Sequence, residues 1–300
     1  MRIVHLSDLH LTSPEHGAIA HMWTKRWTGY ASWRRNRRWQ HRREVLDRLA
    51  SAVQSERPDR IVITGDLTQI GLPEEIAAAH AWLQTLAPPE RVCLVPGNHD
   101  LYAHDSWPTL RREWADYLHL TGDDSGARRA APYPIVRELD GVAMVGVNSA
   151  LPTPILCAGG RLGASQRQRL EQSLAALHAR GLLCCLLIHH PPLPAISSWR
   201  KALSDAGALA TILTRHAPAL VLHGHLHRNK AYAIGATRIF ATASASSAMA
   251  QHPASYRVFD CERDPRGWRI AMTLKQADPD GTAFATTHHE SWLQPPPVGG

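Results

Sequence analysis

Residues 92–100 read Val92-Cys93-Leu94-Val95-Pro96-Gly97-Asn98-His99-Asp100. A wholly apolar run breaks at a Pro-Gly turn and delivers an amide, an imidazole and a carboxylate in succession. A short run that is apolar at every position reads as a strand covered on both faces. The pattern recurs along the chain. Ile3-Val4-His5-Leu6-Ser7 leads into Asp8-Leu9-His10, and Ile61-Val62-Ile63-Thr64 leads into Gly65-Asp66. Residues 182–188 lead into His189-His190-Pro191-Pro192, and Leu220-Val221-Leu222 leads into Gly224-His225-Leu226-His227. In open α/β sheets, ligands bind beyond the carboxyl ends of the strands. Five strands that end in residues of metal-ligand type therefore predict one shared site.

Helical patterns alternate with these strands over 43–55, 73–86, 164–179 and 201–215. Pro73 suits a first helical turn, with Glu74 and Glu75 behind it at the positive end of the dipole. Gly181 suits a helix stop. The alternation predicts an α/β layered fold. After Lys230 the character changes. Residues 230–234, 238–243, 255–261 and 268–274 read as consecutive strands, with a turn at Pro265-Arg266-Gly267. They predict an antiparallel region completing a second sheet. The chain reads as one domain over 1–275, with a segment at 22–43 inserted into it. A loosely held tail over 276–300 carries Pro295-Pro296-Pro297 and Gly299-Gly300.

At 300 residues and 44% hydrophobic content, the chain can bury a sizeable core. A net charge of +7 favours an anionic partner such as a phosphate ester, a nucleic acid or an acidic lipid surface. Cys93, Cys157, Cys184, Cys185 and Cys261 have no metal-binding spacing and read as free thiols in a reducing compartment. The first residues enter a strand with no signal-peptide pattern, and no apolar run approaches the ~20 residues of a membrane span. A cytoplasmic protein is the expectation.

Carboxylate, imidazole and amide oxygen together suit Mn²⁺, Fe or Zn²⁺, and the absence of Cys from the motifs argues against a structural zinc site. Gly65, Gly97 and Gly224 each precede a candidate ligand and would let the backbone turn sharply there. Two divalent ions held mainly by Asp8 and Asp66, with neutral Asn98, would keep a surplus of positive charge for an anionic phosphate.

The ordered set Asp-x-His, Gly-Asp, Gly-Asn-His-Asp, His and Gly-His-x-His, running from residue 8 to residue 227, resembles the calcineurin-like metallophosphoesterase superfamily. The resemblance implies a four-layer α/β/β/α sandwich of two mixed sheets with metals at the strand ends. It implies one ion on Asp8, His10 and His227, a second on Asn98, His189 and His225, and Asp66 bridging both. His189 is preferred to His190 because it directly follows the apolar strand. The implied reaction is attack on phosphorus by a hydroxide shared between the metals. His99 would stabilise the developing charge or protonate the leaving oxygen, with Asp100 orienting it. A phosphodiesterase is the leading expectation. The alternatives are a hydrolase of UDP-2,3-diacylglucosamine pyrophosphate at a membrane surface and a catalytically quiet metal-binding scaffold. One branch of those lipid hydrolases carries Arg where His99 stands here, which lowers that alternative.

The segment 22–43 is basic and aromatic. Trp23, Trp27, Tyr30, Trp33 and Trp39 interleave with Lys25, Arg26, Arg34, Arg35, Arg37, Arg38, Arg42 and Arg43, with no acid among them. It admits three readings: aromatics packed on the core under Arg stems, a contact with anionic lipid peripheral to a membrane, or stacking on a nucleotide. The aromatic and basic faces are not cleanly separated on a helix, and Gly29 weakens one. Trp27, Arg34 and Arg35 are the substrate-contact candidates. The Pro- and Gly-rich stretch 151–163 is a second candidate wall. His5, His41, His216 and His223 lack a motif and read as packing or surface residues.

Overall fold

The computed structural model describes residues 1–11, 13–14, 25–119 and 133–296. The first strands are β1 Arg2–Leu6, β2 Arg60–Ile63, β3 Val92–Leu94, β4 Ile135–Leu139 and β5 Val142–Gly146. They are followed by β6 Leu183–Leu187, β7 Leu220–His223, β8 Lys230–Ile234 and β9 Thr237–Ala241. The last are β10 Ala248–Met249, β11 His252–Pro253, β12 Ser255–Asp264, β13 Gly267–Ala277 and β14 Phe284–Gln294. The helices are α1 Lys25–Ser32, α2 Arg38–Gln40, α3 Arg43–Ser55, α4 Pro73–Leu86, α5 Ser106–Glu113, α6 Ala164–Ala179 and α7 Ala206–His216.

Two six-stranded mixed sheets form, in the orders β14-β13-β12-β1-β2-β3 and β4-β5-β6-β7-β9-β8. The apolar strands lie in the parallel centres, β1 beside β2 beside β3, and β5 beside β6 beside β7 beside β9. Alternation decides which layer each side chain enters. Ile3, Val62 and Cys93 meet Met144, Cys185 and Leu222 between the sheets. Val4, Leu6, Ile61 and Ile63 face outward onto Leu46 and Leu49 of α3 and Ile76 and Leu83 of α4. On the far side, Val145, Leu186 and Val221 pack on Leu174 of α6 and Leu213 of α7. The result is a four-layer α/β/β/α sandwich. Its five central strands end on one edge, where the motif residues converge. No helix among the described residues is long and apolar enough to cross a membrane. All five cysteines are free.

Three sequence expectations need correction. The helix read over 201–215 begins at Ala206. The strands after Lys230 do not complete one second sheet. β8 and β9 join the sheet of β7, whereas β12 runs antiparallel to β1 and brings β13 and β14 into the first sheet. The tail expected to be loose is largely sheet, because Phe284–Gln294 forms the edge strand β14. Its sequence, FATTHHESWLQ, hides the strand because most of its side chains are exposed. Ladder pairing to β13 and the inward Trp292 and Phe284 hold it.

Candidate metal centre

The ligand candidates sit where the backbone is least comfortable. Asp8, His10, Asp66, His225 and His227 all adopt positive φ, between 44° and 70°. Left-handed backbone costs an ordinary L-residue roughly 1–2 kcal/mol, and such strain collects at functional sites. Two glycines make room for it. A Cβ on Gly97 would lie 2.2 Å from Asp66 Oδ1, and one on Gly224 would lie 1.7 Å from Ser7 Oγ and 2.5 Å from Asp8 Oδ2. Only glycine lets these loops close on the two carboxylates.

The side chains converge as two linked groups. At one end, ligand atoms of Asp8, His10, Asp66 and His227 all lie within 4.8 Å of one another. His10 Nε2 is 3.3 Å from His227 Nε2, and Asp8 Oδ1 is 3.2 Å from the same His227 nitrogen. At the other end, His189 Nε2 is 3.1 Å from Asn98 Oδ1, 3.2 Å from His225 Nδ1 and 3.3 Å from Asp66 Oδ2. Asp66 thus lies between the groups, and its other oxygen accepts the His99 amide at 2.7 Å.

Hydrogen bonds fix the proton positions. His10 Nδ1 donates to the Thr68 carbonyl at 3.0 Å and His189 Nδ1 to the Thr64 carbonyl at 2.6 Å. A carbonyl can only accept, so both rings carry a proton at Nδ1 and turn Nε2 inward, the orientation of a histidine that binds a metal through Nε2. Ring nitrogens facing each other this closely need a shared proton or cation. Asp8 Oδ1 is buried without a hydrogen-bond partner among the described residues, and an unpaired buried carboxylate oxygen is costly. The donor set and the orphaned oxygen both fit divalent cations. In their absence, burial lowers the His189 imidazole, but Asp66 and neighbouring groups outweigh it and carry it up to about 9. Burial raises the Asp66 carboxyl, yet the facing His189 holds it well below the usual carboxylate range.

His190 is turned to other work. Its Nε2 donates to the Ala158 carbonyl at 3.2 Å, while its Nδ1 accepts from Ser149 Oγ at 2.8 Å. Asp100 does not touch the His99 ring and so does not orient it, contrary to the sequence reading. Its Oδ2 accepts the Asp66 and Gly97 amides, each at 2.8 Å. Its Oδ1 accepts the amides of Leu67 at 2.8 Å and Thr68 at 3.0 Å, while the Thr68 hydroxyl, 3.2 Å away, donates its one proton to the His99 carbonyl at 2.8 Å. Asp100 is the clasp that fixes the two ligand-bearing loops to each other. His99 donates from Nδ1 to the Gln69 carbonyl and accepts Arg37 Nη1 at Nε2, 3.0 Å away. Burial and the Arg37 charge push the His99 imidazole down to about 3. It is neutral, and neither ring nitrogen has a proton to spare.

The segment read over 22–43 is visible from Lys25 onward; Trp23 and the rest of 22–24 lie outside the described residues. Trp27, Arg34 and Arg35 point outward, with Trp27 62% exposed, and none of them contacts the metal-ligand candidates. A π-helical turn over Trp33–Arg37 follows α1 and sends Trp33 and Arg37, four residues apart, inward. Gly29 is there for closeness, since its Cβ would sit 2.5 Å from the Tyr102 hydroxyl. Arg26 is 1% exposed and is spent on Asp105 and the Ile70 and Gly71 carbonyls. Lys25 Nζ lies 4.5 Å from the Tyr102 ring centre and donates to Thr153 and Cys157, tying α1 to the second candidate wall. Burial pulls its ammonium down to about 8.

Sequence reasoning overlooked Lys25, Arg37 and His41 as site residues. For Arg37, the one available signal was its spacing of four from the apolar Trp33. His41, read from the sequence as a packing or surface residue, lies against the candidate ligands. Its ring centre is 4.4 Å from that of His10 and 5.6 Å from that of His227.

This geometry has counterparts. Residues 1–229 match the calcineurin-like phosphoesterase family, and the chain belongs to it. Its members are dinuclear metal enzymes that hydrolyse phosphoric esters. The Escherichia coli 3',5'-cyclic adenosine monophosphate phosphodiesterase CpdA is 28% identical over 96% of this chain and 89% of its own length. A Mycobacterium tuberculosis cAMP/cGMP dual specificity phosphodiesterase is 32% identical over 68% of this chain. A probable cyclic nucleotide phosphodiesterase of Rhodococcus erythropolis is 30% identical over 62% of it. The alignments span little more than half the length of these last two relatives, 58% and 56%. A dimetal phosphatase structure from Danio rerio superposes with a TM-score of 0.65 over 98% of both chains at 14% identity, a likeness of fold.

Proposed function

We propose that this chain is a phosphodiesterase acting on a cyclic nucleotide. One divalent cation would be held by Asp8, His10 and His227, a second by Asn98, His189 and His225, with Asp66 shared. The observation that carries the metal assignment is the orphaned Asp8 Oδ1 beside inward-facing ring nitrogens. Such cations polarise phosphoryl oxygens and lower the pKa of a water between them. The cyclic-nucleotide reading draws on the three named relatives.

The remaining steps belong to the chain itself. The half-buried Arg37 guanidinium, steadied by His99 Nε2, donates to a non-bridging phosphate oxygen as charge develops there. His99 acts as the acceptor that aims Arg37, and the leaving oxygen takes its proton from water. Lys25, half-desolvated over Tyr102, adds a second positive charge along the same wall. Asp100 holds the Asp66 and Gly97 loops in register through its amide bonds. The outward Trp27, Arg34 and Arg35 form a rim that would meet a nucleotide base or an anionic surface.

The test is a comparison of initial rates with Mn²⁺ on 3',5'-cyclic AMP, 3',5'-cyclic GMP, 5'-AMP and UDP-2,3-diacylglucosamine. The proposal expects kcat/KM on a cyclic nucleotide to exceed the monoester and the lipid by about tenfold or more. Preferred hydrolysis of the lipid, or of 5'-AMP, overturns the substrate assignment. No turnover with any metal moves the chain to the metal-binding scaffold.

A further inference from the structure

We propose that His41 is an additional protein ligand of the cation held by Asp8, His10 and His227. The inference rests on the dinuclear reading above and goes beyond its ligand set.

Geometry brings His41 to that site. It follows α2, and its backbone bridges to Ser247 in the other half of the chain. Its amide donates to the Arg37 carbonyl at 3.1 Å, and the next amide, of Arg42, donates to the Ser246 carbonyl at 3.2 Å. So anchored, the imidazole leans on the two metal-site rings. Ligand nitrogens of His10, His41 and His227 all lie within 4.8 Å of one another.

A chain of hydroxyls then decides which nitrogen carries the proton. Ser244 Oγ donates to the Asp8 carbonyl at 2.6 Å, which commits its only proton. The ligand role takes Ser246 Oγ as the donor in its 3.2 Å contact with Ser244 Oγ. Ser246 Oγ then accepts from His41 Nδ1, 2.7 Å away. In that arrangement His41 is protonated at Nδ1 and bare at Nε2. His10 and His189 show the same pattern, with Nδ1–H tied to an acceptor and Nε2 facing inward. Metal-bound histidines use this outer bond to fix tautomer and orientation. The chain also ends on the carbonyl of Asp8, itself a ligand candidate, so the same hydroxyls position both residues. A third imidazole would tilt this site toward ions that favour nitrogen, such as Zn²⁺, over Mn²⁺.

The experiment uses the full chain, stripped with chelator and reloaded with Mn²⁺. Wild type, His41→Gln and Ser246→Ala are compared by equilibrium metal binding and by pulsed EPR of the Mn²⁺-loaded protein, which reports coupled imidazole nitrogens. Gln can still donate to Ser246 and preserves the fold, which circular dichroism checks. The expected result is two ions per wild-type chain. In His41→Gln one of the two binds about 10- to 100-fold more weakly, with one fewer coupled imidazole, and the other is unchanged. Ser246→Ala should weaken the same ion by less. Wild-type affinities and unchanged nitrogen couplings in His41→Gln overturn the ligand role and leave the dinuclear reading standing. Fewer than two ions in wild type removes the dinuclear reading, and this proposal with it.

Discussion

Replacing Asp100 with Asn separates two jobs that a carboxylate beside a metal site can do. If Asp100 served only catalysis, the variant would fold as before and turn over slowly. The structure gives it four donors, the backbone amides of residues 66–68 and 97, and no hydrogen bond to the His99 ring. Burial and the Asp66 charge raise the Asp100 carboxyl to about 7. Yet four backbone amides point at its two oxygens, and the ionised carboxylate satisfies all four. An Asn side chain presents one oxygen and one NH₂, so at least two donors would face another donor. A net hydrogen bond to a charged group contributes about 1.5–3 kcal/mol, which puts the loss of two at about 3–6 kcal/mol. With an unfolding entropy of about 2.1 cal/mol/K per residue over the chain, the melting point should drop by about 5–10 °C. Because both ligand-bearing loops hang from Asp100 Oδ2, metal content should fall in parallel. Calorimetry on metal-loaded protein and elemental analysis of the same samples provide the assay. A variant that melts within about 1 °C of wild type, retains its ions and loses only kcat would refute the clasp and restore a catalytic role.

Other consequences are equally specific. Gly224→Ala pushes a methyl into Ser7 Oγ and Asp8 Oδ2; Mn²⁺ affinity should fall about tenfold or more, with about 1–3 kcal/mol of stability lost to overpacking, read by metal titration and urea unfolding. Arg37→Ala should cut kcat/KM by about 10²- to 10³-fold, the scale of a lost oxyanion donor, with both metal affinities unchanged; unchanged kinetics would exclude Arg37 from the phosphate. His190 and His223 are buried and held down to about 3 and about 4, first by burial, against an ordinary value of 6.5. Below pH 6.5 the unfolded chain binds protons that the folded chain refuses. Stability should therefore be full above that pH and fall as pH drops toward 4, by about 1.4 kcal/mol per unit for each group; urea midpoints from pH 7 to pH 4 check it, and replacing His223 with Gln should flatten the slope.

The central strands and three helices were legible because their apolar periods are strong and their ends carry proline, glycine or ligand residues. The helices at 43–55, 73–86 and 164–179 start and stop where the sequence places them. β14 was not legible, since its stability lies in its partner strand rather than in its own mostly exposed side chains. At the site, residues inside motifs could be read from spacing. His41 could not, and Arg37 offered only its spacing of four from Trp33. They reach the cluster through a π-helical turn and a bridge to Ser247, more than two hundred residues later in the chain. Arg34 and Arg35 lie exposed on the turn, away from the ligand cluster, so charge and proximity in sequence place them at most on a rim. Asp100 was placed correctly beside the centre but given the wrong partner, because sequence cannot show where backbone amides point.

All of this depends on Asp66 being shared by two cations. The direct measurement is anomalous diffraction at the manganese edge from crystals grown with Mn²⁺, for wild type and Asp66→Ala. Wild type should show two peaks about 3.5–4 Å apart with Asp66 between them, and Asp66→Ala should lose at least one. A single peak in wild type, or two peaks that persist undisturbed in Asp66→Ala, would contradict it.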